Sequence, residues 1–218
     1  MGILRDLLKQ LGNRTNPDLV QHLLLLFWAG YDTTASSATW ILRVLADRPD
    51  LQDRLRTELI DAVGDDVESI EASRDLPTLT YFLMEIERMY PSALFFPRVA
   101  AHDLEYEGHH IPEGTPVFYS PYMSHRDPAR YTNPDVFDLD RWSPDGPGER
   151  PKGSWLVGFG GGPRVCLGKP FARLQLKLML HALLSRYRIE PDARYPHSVM
   201  GLPVHHPVSF HIRCATLD

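Results

Sequence analysis

Eleven residues near the C-terminal end, "GFGGGPRVCLG" from Gly158 to Gly168, contain five glycines, Arg164 and Cys166, one of only two cysteines in the 218-residue chain. A structural cysteine needs neither the glycines nor a nearby arginine. Three chemistries compete for this loop. A nucleotide loop fails on spacing: Gly158-x-Gly160 is followed by Pro163, Gly160-x-Gly162 by Val165, and no Gly-Lys-Ser/Thr follows. A glycine-rich turn beside a buried cysteine is the plain structural reading. A metal–thiolate site is the third. Cys166 stands where the loop gives way to a helical pattern, and first-turn N–H groups with the helix dipole stabilise a thiolate there. Glycines let a flat ligand lie against bare backbone, and Arg164 can reach an anionic group on that ligand.

Two further stretches could do chemistry. "AGYDTT", Ala29 to Thr34, interrupts a long apolar run with Gly30 and three poor helix formers. The glycine alone costs ~1 kcal/mol in a helix, and such local conflicts often mark functional sites. Ala29 and Thr33 share a helix face, so a small side chain beside a hydroxyl leaves room for a diatomic ligand. A packing notch with Asp32 in solvent is the plain alternative. In "EIERMYP", Glu85 and Arg88 stand three apart and can pair; an exposed pair of that kind is worth little.

The elements that must position these residues are mostly helical. Leu4, Leu7, Leu8 and Leu11 suit a short amphipathic helix. Thr15 or Asn16 can cap a long helix that opens on Pro17 and runs to about Ala46, apolar nearly all round and therefore expected to be buried. Pro49 opens another helix with a glycine stop, and "LPTLTYFLMEIERMYP" a further one ended by Pro91. From Leu94 to Trp142 short strand-like runs such as "TPVFYS" alternate with turn signals, and "HRDPARYTNPDVFDLDRWSPDGPGERPKG" reads as irregular. After the glycine loop, Leu167, Phe171, Leu174, Leu178 and Ala182 predict one apolar helix face. The tail from Arg188 to Cys214 reads as short strands.

The bulk numbers exclude several classes. Apolar content of 43% and charged content of 23% fit a globular chain, and a net charge of −5 argues against a nucleic-acid surface. Two cysteines provide neither a disulfide framework nor a four-cysteine zinc site. His109–His110 and His205–His206 make poor metal sites, because neighbours on a strand face opposite ways. The longest apolar run, Leu23 to Gly30, is too short to span a bilayer, and the charged opening stretch is unlike a signal peptide. A cytoplasmic protein is expected.

The segment Phe159-Gly-Gly-Gly162-Pro-Arg164-Val-Cys166-Leu-Gly168 resembles the F-x-x-G-x-R-x-C-x-G haem loop of the cytochrome P-450 family at all five fixed positions. Ala172 falls where the family often has alanine. Gly158 departs from the proline many members carry there. "AGYDTT" resembles the family's oxygen-activating A-G-x-D/E-T, and Glu85, Arg88 and Pro91 match its E-x-x-R helix. The resemblance implies a mainly α fold with small β-sheets and haem b held by Cys166, with Phe159, Gly162, Gly168, Ala29 and Gly30 around it. It implies that Arg164, Arg98 and His125 bind the propionates. Asp32 and Thr33 would then relay protons and donate a hydrogen bond in oxygen activation. Arg141 would complete a buried Glu–Arg–Arg network with Glu85 and Arg88.

By that resemblance the chain is a single truncated domain, 1–218, matching the family's C-terminal half. Residues 16–93 carry oxygen activation and E-x-x-R, 94–150 a β and meander region, and 151–218 the haem loop, a proximal-side helix and a β tail. The implied reaction is monooxygenation of an apolar small-to-medium substrate. Its electrons would come from NAD(P)H through a ferredoxin or flavin reductase. A chain supplying the absent N-terminal half is a further expected partner. The alternatives are a haem-binding fragment or partner-dependent subunit without activity of its own, and a haem-free remnant. Leu94, Phe95 and Phe96 are expected pocket walls.

Overall fold

The computed structural model describes Lys9, residues 17–64, Ile70, and residues 76–146, 155–192, 198–200 and 204–217. The short helix expected around Leu4 to Leu11 and the Thr15/Asn16 cap lie outside these residues. Among the described residues, five α-helices carry the architecture: α1 (Pro17–Asp47), α2 (Pro49–Val63), α3 (Pro77–Met89), the single turn α4 (Pro121–Ser124) and α5 (Lys169–Leu184). Eight short strands among the described residues follow or separate them: β1 (Phe96–Val99), β2 (Leu104–Tyr106), β3 (His109–Ile111), β4 (Pro116–Tyr119), β5 (Tyr187–Pro191), β6 (Ser198–Met200), β7 (His206–Val208) and β8 (Ile212–Thr216). They pair antiparallel as β1–β4, β2–β3, β5–β8 and β6–β7. The long stretch after α4 contains a 3₁₀ turn at Asp140–Trp142.

Prolines place the helix starts. Pro49 and Pro77 each sit in a first turn, where the missing N–H costs nothing. Neither helix has a side-chain cap from its own N-cap residue. Instead, Glu58 on α2 accepts the Thr78 and Leu79 N–H groups of α3 at 2.7 and 2.8 Å. A carboxylate on a neighbouring helix thus satisfies two free donors and complements the positive helix end. The β2–β3 turn places Glu107 and Gly108 at φ 48° and 80°, the paired positive values of a tight hairpin.

The core gathers the last third of α1, one face of α2, the inner faces of α3 and α5, and Ile189 of β5. Ile41, Leu45, Leu55, Leu79, Phe82, Leu180 and Leu184 are wholly inaccessible. Two expected faces need correction. Along α1, burial is confined to Leu19 and the stretch from Ser36 onward, while Leu24, Phe27, Trp28 and Tyr31 are each more than 60% exposed. The apolar surround is real, but the described helices reach only its C-terminal end. On α5 the buried residues are Leu176, Leu180, His181 and Leu184, while Leu167 and Phe171 are exposed. The helix is apolar on two sides, and packing against α2 and β5 buries the other one most deeply, with Leu174 and Leu178 of the expected face half-buried against the same core.

One polar side chain knits this core. Gln52 is fully buried and donates from Nε2 to Leu45 O and Ile189 O, at 2.8 and 2.7 Å. Its Oε1 accepts Ile189 N–H at 2.9 Å. The end of α1, the start of α2 and β5 therefore meet on one amide. Gln52→Leu preserves volume and strands two backbone groups, the N–H and C=O of Ile189, while Leu45 O keeps the Arg48 N–H at 3.1 Å. Unsatisfied buried groups cost about 1–3 kcal/mol each, so urea unfolding should show a loss of at least about 2 kcal/mol, larger than for an exposed control such as Gln21→Leu.

Candidate functional site

An apolar cleft of ≈ 290 Å³ lies between α1, α3, the segment after α3, the glycine loop and α5. Ala29 and Thr33 line it from α1, Leu83, Ile86 and Glu87 from α3, and Phe159, Arg164 and Cys166 from the loop. Three sequence motifs, the first and last more than a hundred residues apart, thus face one space. Phe96 joins the wall as expected and stacks on Tyr119 with ring centroids 5.0 Å apart; Leu94 and Phe95 stay outside the lining.

The glycine loop is held by its own backbone. Cys166 N–H donates to Phe159 O at 2.8 Å, and Gly162–Arg164 form a 3₁₀ turn. Gly160 and Gly162 have φ of 74° and 60°, a region costly to side chains. Gly160 is also crowded: a Cβ there would sit 3.3 Å from Arg164 O and 3.4 Å from the Tyr119 hydroxyl. The family pattern leaves that position open, so its need for glycine is not visible in the motif. Gly168 is helical, with φ −80°, and lies beneath the cysteine; its Cβ would be 3.8 Å from Sγ. Arg164 is exposed on the cleft wall, and among the described residues it takes no hydrogen-bond or ion-pair partner.

On α1, Thr33 Oγ1 donates to Ala29 O at 2.7 Å. Ser37 and Ser92 both turn their hydroxyls to Thr33 O, at 3.2 and 2.9 Å, and lie 3.0 Å from each other. Three hydroxyls and two backbone carbonyls thus occupy the notch the sequence predicted. Ser37 and Ser92 carry no sequence signal of their own. Asp32 is exposed on the outer side of the helix, and Gly30 has open space around it.

The Glu–Arg–Arg network is present in full. Glu85 and Arg88 are both fully buried, with Arg88 Nη2 to Glu85 Oε1 at 2.7 Å and Nε to Oε2 at 2.9 Å. Glu85 Oε1 also accepts Asp138 N–H at 3.0 Å and Arg141 Nε at 3.4 Å, and Oε2 accepts Trp142 Nε1 at 2.9 Å. The remaining guanidinium donors meet backbone oxygens of Thr132, Asn133, Pro134 and Val136. Trp142 is the member the sequence reading missed; it sits beside Arg141 in "DRW".

His125 is the correction among the expected propionate ligands. It is inaccessible to solvent and stands outside the cleft. Its Nε2 accepts Val157 N–H at 2.9 Å, so Nδ1 carries the proton toward Arg88 O, 3.2 Å away. Both ring nitrogens are committed to backbone, and His125 braces the start of the loop instead. Arg98 is exposed on β1, its guanidinium 5.4 Å from the Tyr119 ring centre. It shares a strand face with Phe96, two residues away, and so flanks the cleft without lining it.

The donor set fits a haem. One soft sulfur stands on the wall, bare glycyl backbone lies beside it, an unengaged cation is at hand for an anionic edge, and the other walls are largely apolar. No group of three histidines, cysteines or acids that could hold a metal ion occurs among the described residues. A single-sulfur site suits a ligand that brings its own iron.

A cysteine-bearing glycine loop facing a notched helix across an apolar cleft is the arrangement of a haem-thiolate fold. The family model described as Cytochrome P450 matches residues 3–209, and the chain belongs to that family. It is 35% identical over 185 residues to Cyclooctatin synthase of Streptomyces melanosporofaciens, covering 83% of this chain and 39% of that protein. It is 34% identical over 207 residues to Pentalenene oxygenase of Streptomyces avermitilis, covering 93% and 45%. Among solved structures it matches the retinoic acid-bound cyanobacterial CYP120A1 with a TM-score of 0.82 and 29% identity, over 93% of this chain and 47% of that one. The chain therefore spans less than half the length of these relatives. No helix among the described residues is long and apolar enough to cross a membrane.

Burial pushes the His125 imidazole down to about 4 from 6.5. The unfolded ring takes up its proton near 6.5 and the folded ring only near 4, so the stability of the neutral form is complete above about 6.5. It declines as pH falls from there toward 4, by about 3 kcal/mol in all. His205, also lowered by burial, adds a slope of the same sign. Urea titrations across this range should show the decline, and His125→Asn should remove the larger part of it.

Proposed function

We propose that this chain is the haem-thiolate portion of a cytochrome P450 monooxygenase acting on an apolar small-to-medium substrate. The observation that carries this reading is the common cleft: Cys166 and Arg164 on one wall, Ala29 and Thr33 on another, in largely apolar surroundings. When bound, a haem with a thiolate ligand supplies activation of molecular oxygen, the thiolate pushing electron density onto the iron. Cys166 holds that group, and Arg164 neutralises its anionic edge, with Arg98 nearby on β1. Leu83, Ile86, Phe96 and Phe159 exclude water and leave room for an apolar substrate. Thr33 Oγ1 presents a hydroxyl at the cleft, and Asp32, one residue away on the outer side of the helix, exchanges protons with solvent water that carries them to the cleft. In this reading the electrons come from NAD(P)H through a ferredoxin or flavin reductase.

The exposed apolar side of α1 supports a second reading, in which this chain is a subunit whose activity needs a covering partner. Leu24, Phe27, Trp28 and Tyr31 present an apolar surface there, with Phe27 and Tyr31 stacked at 6.0 Å. Surfaces of that kind mark interaction sites.

Haem-reconstituted chain, reduced and exposed to carbon monoxide, should give the red-shifted band of thiolate ligation, and Cys166→Ala should abolish it. Absence of the band in the unaltered chain would overturn the haem reading; the band without NAD(P)H-dependent turnover would favour the partner-dependent one. Where turnover is obtained, Thr33→Ala should keep the band and divert most reducing equivalents to hydrogen peroxide, read as the ratio of NAD(P)H consumed to product formed.

A further inference from the structure

Glu87 lies between the two members of the E-x-x-R pair and shares no hydrogen bond with that network. It is only 8% exposed, lies on the cleft wall, and its Oε1 has no hydrogen-bond partner among the described residues. Its Oε2 accepts Arg173 Nη2 of α5 at 3.1 Å. A buried carboxylate with half its acceptors unused is costly. Burial is the dominant influence and holds this one above the usual carboxylate range, opposed by the positive charges of Arg173 and Lys169.

The glycine loop is shaped around it. A Cβ on Gly158 would stand 2.8 Å from Glu87 Cγ and 3.2 Å from Oε1. The same Arg173 lies 5.8 Å from the Phe159 ring centre, with Lys169 Nζ at 5.4 Å. Phe159 O, in turn, accepts the Cys166 N–H. A continuous set of contacts therefore runs from Glu87 through Arg173 and Phe159 to the cysteine backbone.

We propose that Glu87 and Arg173 form a clamp that seats the Gly158–Phe159 limb of the loop and so aims the Cys166 sulfur, with Gly158 kept free of a side chain to admit the Glu87 carboxyl. These are positioning residues. The clamp itself is a property of the protein chain; its effect on ligation rests on the haem reading above.

Hydrogen–deuterium exchange on the haem-free chain tests the clamp directly. Gly158→Ala and Glu87→Ala should each speed exchange of the Gly160, Val165 and Cys166 amides by about tenfold. The double variant should exchange no faster than Glu87→Ala alone, because the added methyl then has space. Additive effects would overturn the proposal. Glu87→Gln keeps the side-chain volume and carries the same test if the alanine variant does not fold: the full Gly158→Ala penalty must persist in it, and loss of that penalty overturns the clamp. With haem added and carbon monoxide bound to the reduced form, Glu87→Ala and Arg173→Met should move part of the thiolate band to the unshifted thiol position, and Glu87→Gln should restore most of it. Loss of stability with an unchanged band ratio would overturn the aiming role. A chain without any thiolate band but with coupled exchange defeats the haem reading and leaves the clamp standing; a thiolate band with additive exchange does the reverse.

Discussion

Everything on the cleft's lower side hangs on the Glu85 carboxylate. It is wholly buried and takes donors from Arg88, Arg141, Trp142 and the Asp138 backbone. Two guanidinium groups share this one carboxylate, so the site carries an excess positive charge. That charge is spread over a ring of backbone oxygens on the irregular stretch from Thr132 to Val136. The stretch has little regular structure to order it, and the two arginines do that work by fixing its carbonyls. His125, touching both Arg88 O and Val157 N–H, passes the order on to the start of the glycine loop. A second cation at His125 would add to the excess, which agrees with a ring held neutral.

Much of the site was legible because its parts are short, fixed spacings on either side of recognisable turns. Pro49, Pro77 and Gly64 mark helix ends by backbone chemistry alone, and they stand where expected. Cys166, Arg164, Ala29 and Thr33 meet on one cleft although no local pattern says how far apart they lie in space. The misreadings share a cause. The resemblance implies that His125 binds a propionate, but whether a histidine faces a cleft or a backbone amide is decided by elements thirty residues away. Likewise α5 is apolar on two sides, and periodicity alone does not choose which side meets α2. Glu58 capping α3 from a neighbouring helix, and Ser37 with Ser92 at the Thr33 carbonyl, are tertiary pairings with no local signature.

The structure also separates rigid from adaptable walls. The loop side is fixed by backbone bonds and by the Glu85 network. On the α1 side, the residues facing the cleft belong to a helix whose C-terminal third is locked in the core and whose preceding turns lie at the surface. Thr33 stands near that transition. Its carbonyl is tied to Ser37 and Ser92, which fastens the helix to the segment after α3 just before it leaves the core.

The β2–β3 hairpin is a small feature with a separate consequence. Its six paired residues run from Leu104 to Tyr106 and from His109 to Ile111, and none of them is buried. Glu107 and Gly108 at its tight reversal are exposed and belong neither to the cleft lining nor to the core. A two-stranded ribbon of this kind adds little to cohesion on its own. Evolution, or an engineer, is therefore free to lengthen that tip or graft a peptide or fluorophore there, with the walls of the cleft left undisturbed.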